Sequence, residues 1–166
     1  MSKLKTVEDL LVEEVKDLYS AENQLVKALP KMAKAANDPA LRAGFEKHLK
    51  ETEIHVERLG KVAEILGASP KGKSCKAMKG LLEEGSEVMA EEGEPELKDL
   101  ALIVAAQKVE HYEIAGYGSA RTLAEVLGLR DVVKLLQATL DEEGATDKSL
   151  TQLSMKIIPE AAVAKA

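Results

Sequence analysis

The sequence predicts an all-α protein built as a bundle of four long helices, and three observations lead there. Only 2% of the 166 residues are aromatic (three Tyr, one Phe, no Trp), so the core must come from Leu, Val, Ile, Ala and Met. That palette, rich also in Glu and Lys, favours helix over sheet. The helix breakers stand far apart and leave long pieces of roughly 28–32 residues between them. Within each long piece the apolar residues recur at alternating spacings of four and three, the signature of one helix face. A hydrophobic share of 45% beside a charged share of 31% suits a folded chain. The length fits a single domain, expected over residues 1–166.

The elements follow in order. Thr6 with Asp9 forms a capping box, with Asp in place of Glu, that opens a first helix over about residues 6–36, bent from within by Pro30. Asn37-Asp38-Pro39 is a turn and a restart: Asp38 caps a second helix and Pro39 takes its first position. That helix spans about 39–66 and stops at Gly67. Residues 67–74 hold two Gly, one Pro and two Ser and read as a loop. A shorter helix over about 75–92 is weakened by Gly80 and Gly85. Gly93-Glu94-Pro95 resets the chain, and a third long helix runs over about 96–127 to Gly128. The fourth covers about 130–158 and is expected to end near Pro159, with Glu160–Ala166 frayed. Each long helix is about 40 Å long. Two tight hairpins separated by a connector of that reach describe the ferritin-like variant of the four-helix bundle, with one long crossover carrying a short extra helix.

Charge and composition exclude several functions. There are 29 acidic against 23 basic residues, a net charge of −6. The lysines are dispersed and make no basic stripe, which argues against nucleic acid as a partner. No apolar run reaches about 18 residues, so no membrane span is expected. No apolar run follows Lys3 and Lys5, so no secretory leader is expected. Cys75 has no partner for a disulfide, which points to a reducing compartment and a cytoplasmic setting.

The apolar stripes carry the functional signal. The first runs Leu11, Val15, Leu18, Glu22, Leu25, Leu29; the second Leu41, Phe45, His48, Thr52, His55, Leu59. The third contains Ile103, Gln107, Glu110, Ile114 and Tyr117, and the fourth Leu136, Thr139, Glu143, Thr146 and Leu150. Each is apolar at its ends and polar near its middle, and in an antiparallel bundle the middles share one level. Glu22, Glu110 and Glu143 should therefore meet, with His55 beside them and Glu51 one position off its stripe. Carboxylates gathered in a dry core raise one another's pKa and cost several kcal/mol each unless protons, buried cations or metal compensate them. An oxygen-rich site with one or two imidazoles suits Mn or Fe, and Zn less exclusively. Ferritin-like di-metal proteins use one Glu from each of two helices and Glu-x-x-His from the other two. Here the pairs are Glu51 with His55 and Glu143 with Asp147, four apart, with Thr146 where a His would be expected. The third helix adds Glu113 to Glu110. Glu142 competes with Glu143 for the inward place, the stripe favouring Glu143. His48 reads as a core-edge histidine bonded to backbone or carboxylate, His111 as a neighbour of the site or a surface residue, and Tyr112 and Tyr117 as core. Tyr19 either donates to a bound carboxylate or packs, and Cys75 is structural.

Six stretches carry a resemblance to a known family: Glu8-Asp9-Leu10; Asp17-Leu18-Tyr19-Ser20-Ala21-Glu22; His48-Leu49 with Glu51-Thr52; Cys75-Lys76-Ala77-Met78; Lys108-Val109-Glu110-His111-Tyr112-Glu113; and Asp141-Glu142-Glu143 with Asp147. The chain resembles the YciF-type stress proteins, a branch of the ferritin-like superfamily. The resemblance implies a four-helix bundle, a bacterial cytosolic setting, a homodimer and a di-metal centre. By position it implies Glu22, Glu51, His55, Glu110, Glu113, Glu143 and Asp147 as the centre. Two functional expectations follow. In one, a carboxylate-bridged di-iron or di-manganese pair reacts with peroxide or oxygen under stress. In the other, a non-enzymatic bundle acts by association and its site, whether metal or proton-sharing carboxylates, is structural.

Overall fold

The computed structural model describes residues 4–163 and consists of five helices: α1 (Val7–Ala35), α2 (Pro39–Ile65), α3 (Lys76–Ala90), α4 (Pro95–Val126) and α5 (Arg130–Val163). Local chemistry sets their ends. Thr6 Oγ1 accepts the Asp9 N–H at 3.0 Å while Asp9 accepts the Thr6 N–H at 3.0 Å, the reciprocal capping box. Asp38 accepts the Leu41 N–H at 2.8 Å and Pro39 occupies the first turn of α2. At Gly67, φ is +62°, and the N–H groups of Gly67 and Ala68 reach back to Glu64 and Ala63. Gly128, at φ +71°, closes α4 in the same way. Both ends need the left-handed conformation that glycine adopts without a Cβ clash. Cys75 caps α3, its Sγ accepting the Met78 N–H at 3.4 Å.

Helix α1 packs on α2 and α4 on α5; α2 also meets α5, α1 meets α4, and α3 lies across α1 and α4. Asp99, buried near the start of α4, accepts the N–H groups of Asn37 at 2.8 Å and Asp38 at 2.7 Å. The α1–α2 turn is thus held against the beginning of α4. The crossover must therefore traverse the bundle, and this is the ferritin-like order. Helix α4 lies close against α1 at Gly116, where an added Cβ would sit 2.8 Å from Leu18 Cδ2.

Both internal prolines are passed without ending a helix. Helix α5 continues through Pro159 to Val163, beyond the stop expected there, and the neighbouring Ile157 and Ala161 are buried. Burial of that turn offsets the missing N–H of the proline. The frayed tail expected over Glu160–Ala166 is therefore helical through Val163; its last three residues, like the first three of the chain, lie outside the described residues.

The apolar core falls into two clusters. One gathers Leu11, Leu18, Leu59, Val62, Tyr117 and Leu136. The other gathers Leu25, Leu29, Phe45, Met78, Leu102 and Leu150 around the crossover helix. Between them lies a buried polar belt: Glu22 of α1, His48, Thr52 and His55 of α2, Glu110 and Glu113 of α4, Thr139 and Glu143 of α5.

Candidate metal centre

Helical spacing turns these side chains inward. His48, Thr52 and His55 follow one another at four and three residues along α2, and Glu110 and Glu113 are one turn apart on α4. In the folded bundle they form two donor sets, each with its ligand atoms within 4.8 Å of one another: His48, Glu110, Glu113 and Glu143; and Glu22, His55 and Glu143. Glu143 belongs to both. Its Oε1 lies 2.9 Å from His55 Nδ1 and its Oε2 lies 3.6 Å from His48 Nε2. His48 Nε2 is also 3.2 Å from Glu110 Oε1, and His55 Nδ1 is 3.3 Å from Glu22 Oε1.

These contacts are close but lack hydrogen-bond geometry. Glu22 Oε2, Glu110 Oε2, both oxygens of Glu113 and of Glu143, His48 Nε2 and His55 Nδ1 find no hydrogen-bond partner among the described residues. Eight buried polar atoms converging without partners is the arrangement that one or more cations would complete. The donors, carboxylate oxygens with two imidazole nitrogens, fit Mn or Fe, and also Zn.

Surrounding groups orient the donors. The Arg58 guanidinium holds Glu142 through Nη1 at 2.6 Å and Nη2 at 3.0 Å, and keeps its carboxyl below the usual range. Glu142 is therefore an acceptor, and His55 Nε2, 2.8 Å away, must donate to it. That leaves His55 Nδ1 facing Glu22 and Glu143. The pair mimics the carboxylate–histidine arrangement that fixes metal-binding imidazoles. The Tyr117 hydroxyl donates to Glu22. On the other side, His48 Nδ1 lies 3.3 Å from Thr146 Oγ1 and 3.6 Å from Glu51, which Lys47 pairs at 2.8 Å.

Proton affinities reflect the crowding. Burial, reinforced by the charges of Glu22, Glu143 and Glu110, pushes the Glu113 carboxyl far up. Burial raises Glu22, and raises Glu143 to about 7. Burial alone would lower His55, yet Glu143 and Glu22 hold it up at about 10; His48 is likewise raised by Glu110 against its burial. Without metal, the belt retains protons on its crowded carboxyls and imidazoles.

Five of the seven residues expected at the centre are therefore brought together: Glu22, His55, Glu110, Glu113 and Glu143. Glu51 joins neither donor set and stands at the edge, partly buried and paired with Lys47. Asp147 joins neither donor set; it bonds Gln107 Nε2 at 3.0 Å and lies 3.3 Å from His111, itself on the surface. Four residues past Glu143, its direction has rotated towards the outer side of α4. His48, expected as a core-edge histidine against backbone or carboxylate, lies beside Glu110 and Glu51 and also falls in a donor set; its stripe position seven residues before His55 was the available signal. Tyr117 is core as expected but also carries the Glu22 bond. The Tyr19 hydroxyl makes no bond to the belt. The Tyr112 hydroxyl donates to Asp17 and lies 2.9 Å from Cys75 Sγ, off the belt.

The sequence profile of the family described as "Domain of unknown function (DUF892)" matches residues 6–163. The chain belongs to the DUF892 family. This DUF892 chain is 47% identical over 164 residues to Protein YciF of Escherichia coli K12, covering 98% of this chain and 99% of YciF. The crystal structure of the E. coli stress protein YciF superposes with a TM-score of 0.91, covering 94% of this chain and 99% of that one. YcfI from Rhodopseudomonas palustris, described as a candidate structural protein, is 42% identical with a TM-score of 0.86, covering 90% and 95%. A Bacillus anthracis structure described as ferritin-like and diiron-carboxylate matches at 16% identity and a TM-score of 0.71, covering 91% and 99%. It shows that the DUF892 chain has the ferritin-like fold. No helix among the described residues is long and apolar enough to cross a membrane.

Proposed function

We propose that this chain binds two metal ions, iron or manganese, in the belt and acts in the cytoplasm as a stress protein whose centre consumes peroxide or dioxygen. One observation carries the reading: Glu143 faces both donor sets with neither oxygen hydrogen-bonded. Glu22, His55 and Glu143 would hold one ion, and His48, Glu110, Glu113 and Glu143 the other. When bound, such a pair supplies electrons to a small oxidant. The chain's own residues orient it: Glu142 and Arg58 fix the His55 ring, Tyr117 positions Glu22, and the cluster of Leu11, Leu59 and Leu136 keeps bulk water from the Glu22–His55 side. The name of the E. coli relative supports the stress role. The whole chain would act as one domain, as a homodimer.

Metal analysis of protein produced with added iron, manganese or zinc tests the reading. The expected result is two equivalents per chain, a lower melting temperature after chelation, and loss of binding in a Glu22→Ala plus Glu143→Ala variant. Trace metal in every medium would overturn it. The raised proton affinities of Glu113 and Glu143 support a second reading, in which protons hold a purely structural bundle that acts by association, in keeping with the description of the R. palustris relative. An unchanged melting curve in chelator, after confirmed metal loss, would favour it.

A further inference from the structure

A cavity of about 60 Å³ lies against the His48 side of the belt. Its wall is hydrocarbon: Leu25, Leu29, Phe45, Val109 and Leu150. At its inner end stand His48 and Glu110, each buried and each with an unpartnered atom. Its lining also includes Lys47, Ala145 and Ser149, which are exposed, so its solvent side opens between α2 and α5. The Glu22–His55 side is occupied differently, by the Tyr117 hydroxyl on Glu22 and the Arg58–Glu142 pair on His55.

We propose that this cavity is the chamber through which a small, neutral, apolar molecule, dioxygen, reaches the His48–Glu110 side of the centre. Size and chemistry both select for it. At roughly 10–15 Å³ of such space per water-sized occupant, the cavity takes about four to six non-hydrogen atoms. Peroxide would give up its hydrogen bonds to water on entering a hydrocarbon wall, whereas dioxygen has none to lose and is concentrated there. The assignment to dioxygen rests on the metal reading above; the chamber itself does not.

Xenon separates the two, because it occupies apolar cavities without needing metal. In the metal-free full chain with labelled methyl groups, xenon is expected to shift Leu25, Leu29, Met32 and Leu150 and to leave Leu11, Leu59 and Leu136 unmoved. Gly44→Leu should abolish the shifts by filling the cavity; a Cβ at Gly44 meets only Leu153 Cδ1, at 4.0 Å, so the helix accepts a side chain there. Ala145→Leu on α5 repeats the test from the facing wall. In metal-loaded protein, Gly44→Leu should slow dioxygen uptake several-fold at unchanged metal content, with peroxide consumption slower than dioxygen uptake in the parent. Xenon shifts that are absent, spread over both clusters or unchanged by both fillings would overturn the chamber. Faster consumption of peroxide, indifferent to both fillings, would overturn the assignment to dioxygen. Intact xenon shifts in a chain that binds no metal would uphold the chamber and overturn the metal reading together with the assignment to dioxygen.

Discussion

On one side of the carboxylate belt, Tyr117 closes over Glu22, Arg58 and Glu142 lock His55, and Leu11, Leu59 and Leu136 pack behind them. On the other side, His48 leans on the longer contacts to Thr146 and Glu51 and faces a cavity bounded by Leu25, Leu29 and Phe45. The same belt, built from similar donors, therefore has a sealed face and an open one. Rigid support and solvent approach are divided between the two imidazoles: His55 is held, and His48 is reached.

Breaking the group shared by both faces should have the largest effect. Glu143→Ala is expected to remove both metal ions, each weakened by more than about tenfold. Glu22→Ala should spare the ion of the open side, and Glu110→Ala the ion of the sealed side. Equilibrium dialysis with metal analysis reads the three stoichiometries, and equal losses in all three would erase the distinction between the faces.

The next effect is the pH dependence of the metal-free chain. His55, raised from 6.5 to about 10, stabilises the fold fully below pH 6.5, and that stability is lost as pH rises towards 10. Glu143, raised from 4.5 to about 7, adds a cost as pH climbs through that window, because the folded chain keeps a proton that the unfolded chain releases. Glu51, lowered from 4.5 to about 2, works oppositely and weakens the fold only below pH 4.5. Denaturant midpoints should therefore fall between pH 6 and pH 9 without metal and hold steady with it. A metal-free midpoint that rises over that range would contradict the protonated belt.

Packing comes third. Leu59→Ala, in the sealed cluster, should cost towards the upper end of ~2.7–5.0 kcal/mol, and Leu29→Ala, beside the existing cavity, nearer the lower end. Matching losses in urea unfolding would mean that the two clusters are equally well filled. The smallest expected effects are single hydrogen bonds. Tyr117→Phe leaves a buried carboxylate short of its donor and should cost ~1–3 kcal/mol, whereas Thr146→Val on the open side should cost about 0.5–1.5 kcal/mol. The same urea unfolding ranks them.

Much of the fold is legible along the chain because its signals are local. Thr6 with Asp9, Asp38 with Pro39, and the glycines 67 and 128 act on backbone within a turn or two of themselves. Pro159 misleads for the complementary reason, since what carries α5 past it is the burial of Ile157 and Ala161. The belt was half legible: a carboxylate at mid-stripe must point inward, and Glu22, Glu110 and Glu143 do.

Sequence alone determined the helices, their order and the gathering of acid at one level, because periodicity and capping are properties of neighbours along the chain. Tertiary structure decided everything that depends on how one helix is rotated against the next. It turned Glu143 inward while Arg58 drew Glu142 aside, left Asp147 to Gln107, brought His48 up to Glu110, and set Tyr117 on Glu22. It also placed Asp99 under the α1–α2 turn and left the cavity beside His48. A step of one residue turns a side chain by about 100° around its helix, so inter-helix register, set by packing of the whole core, decides which of the neighbouring polar side chains meet.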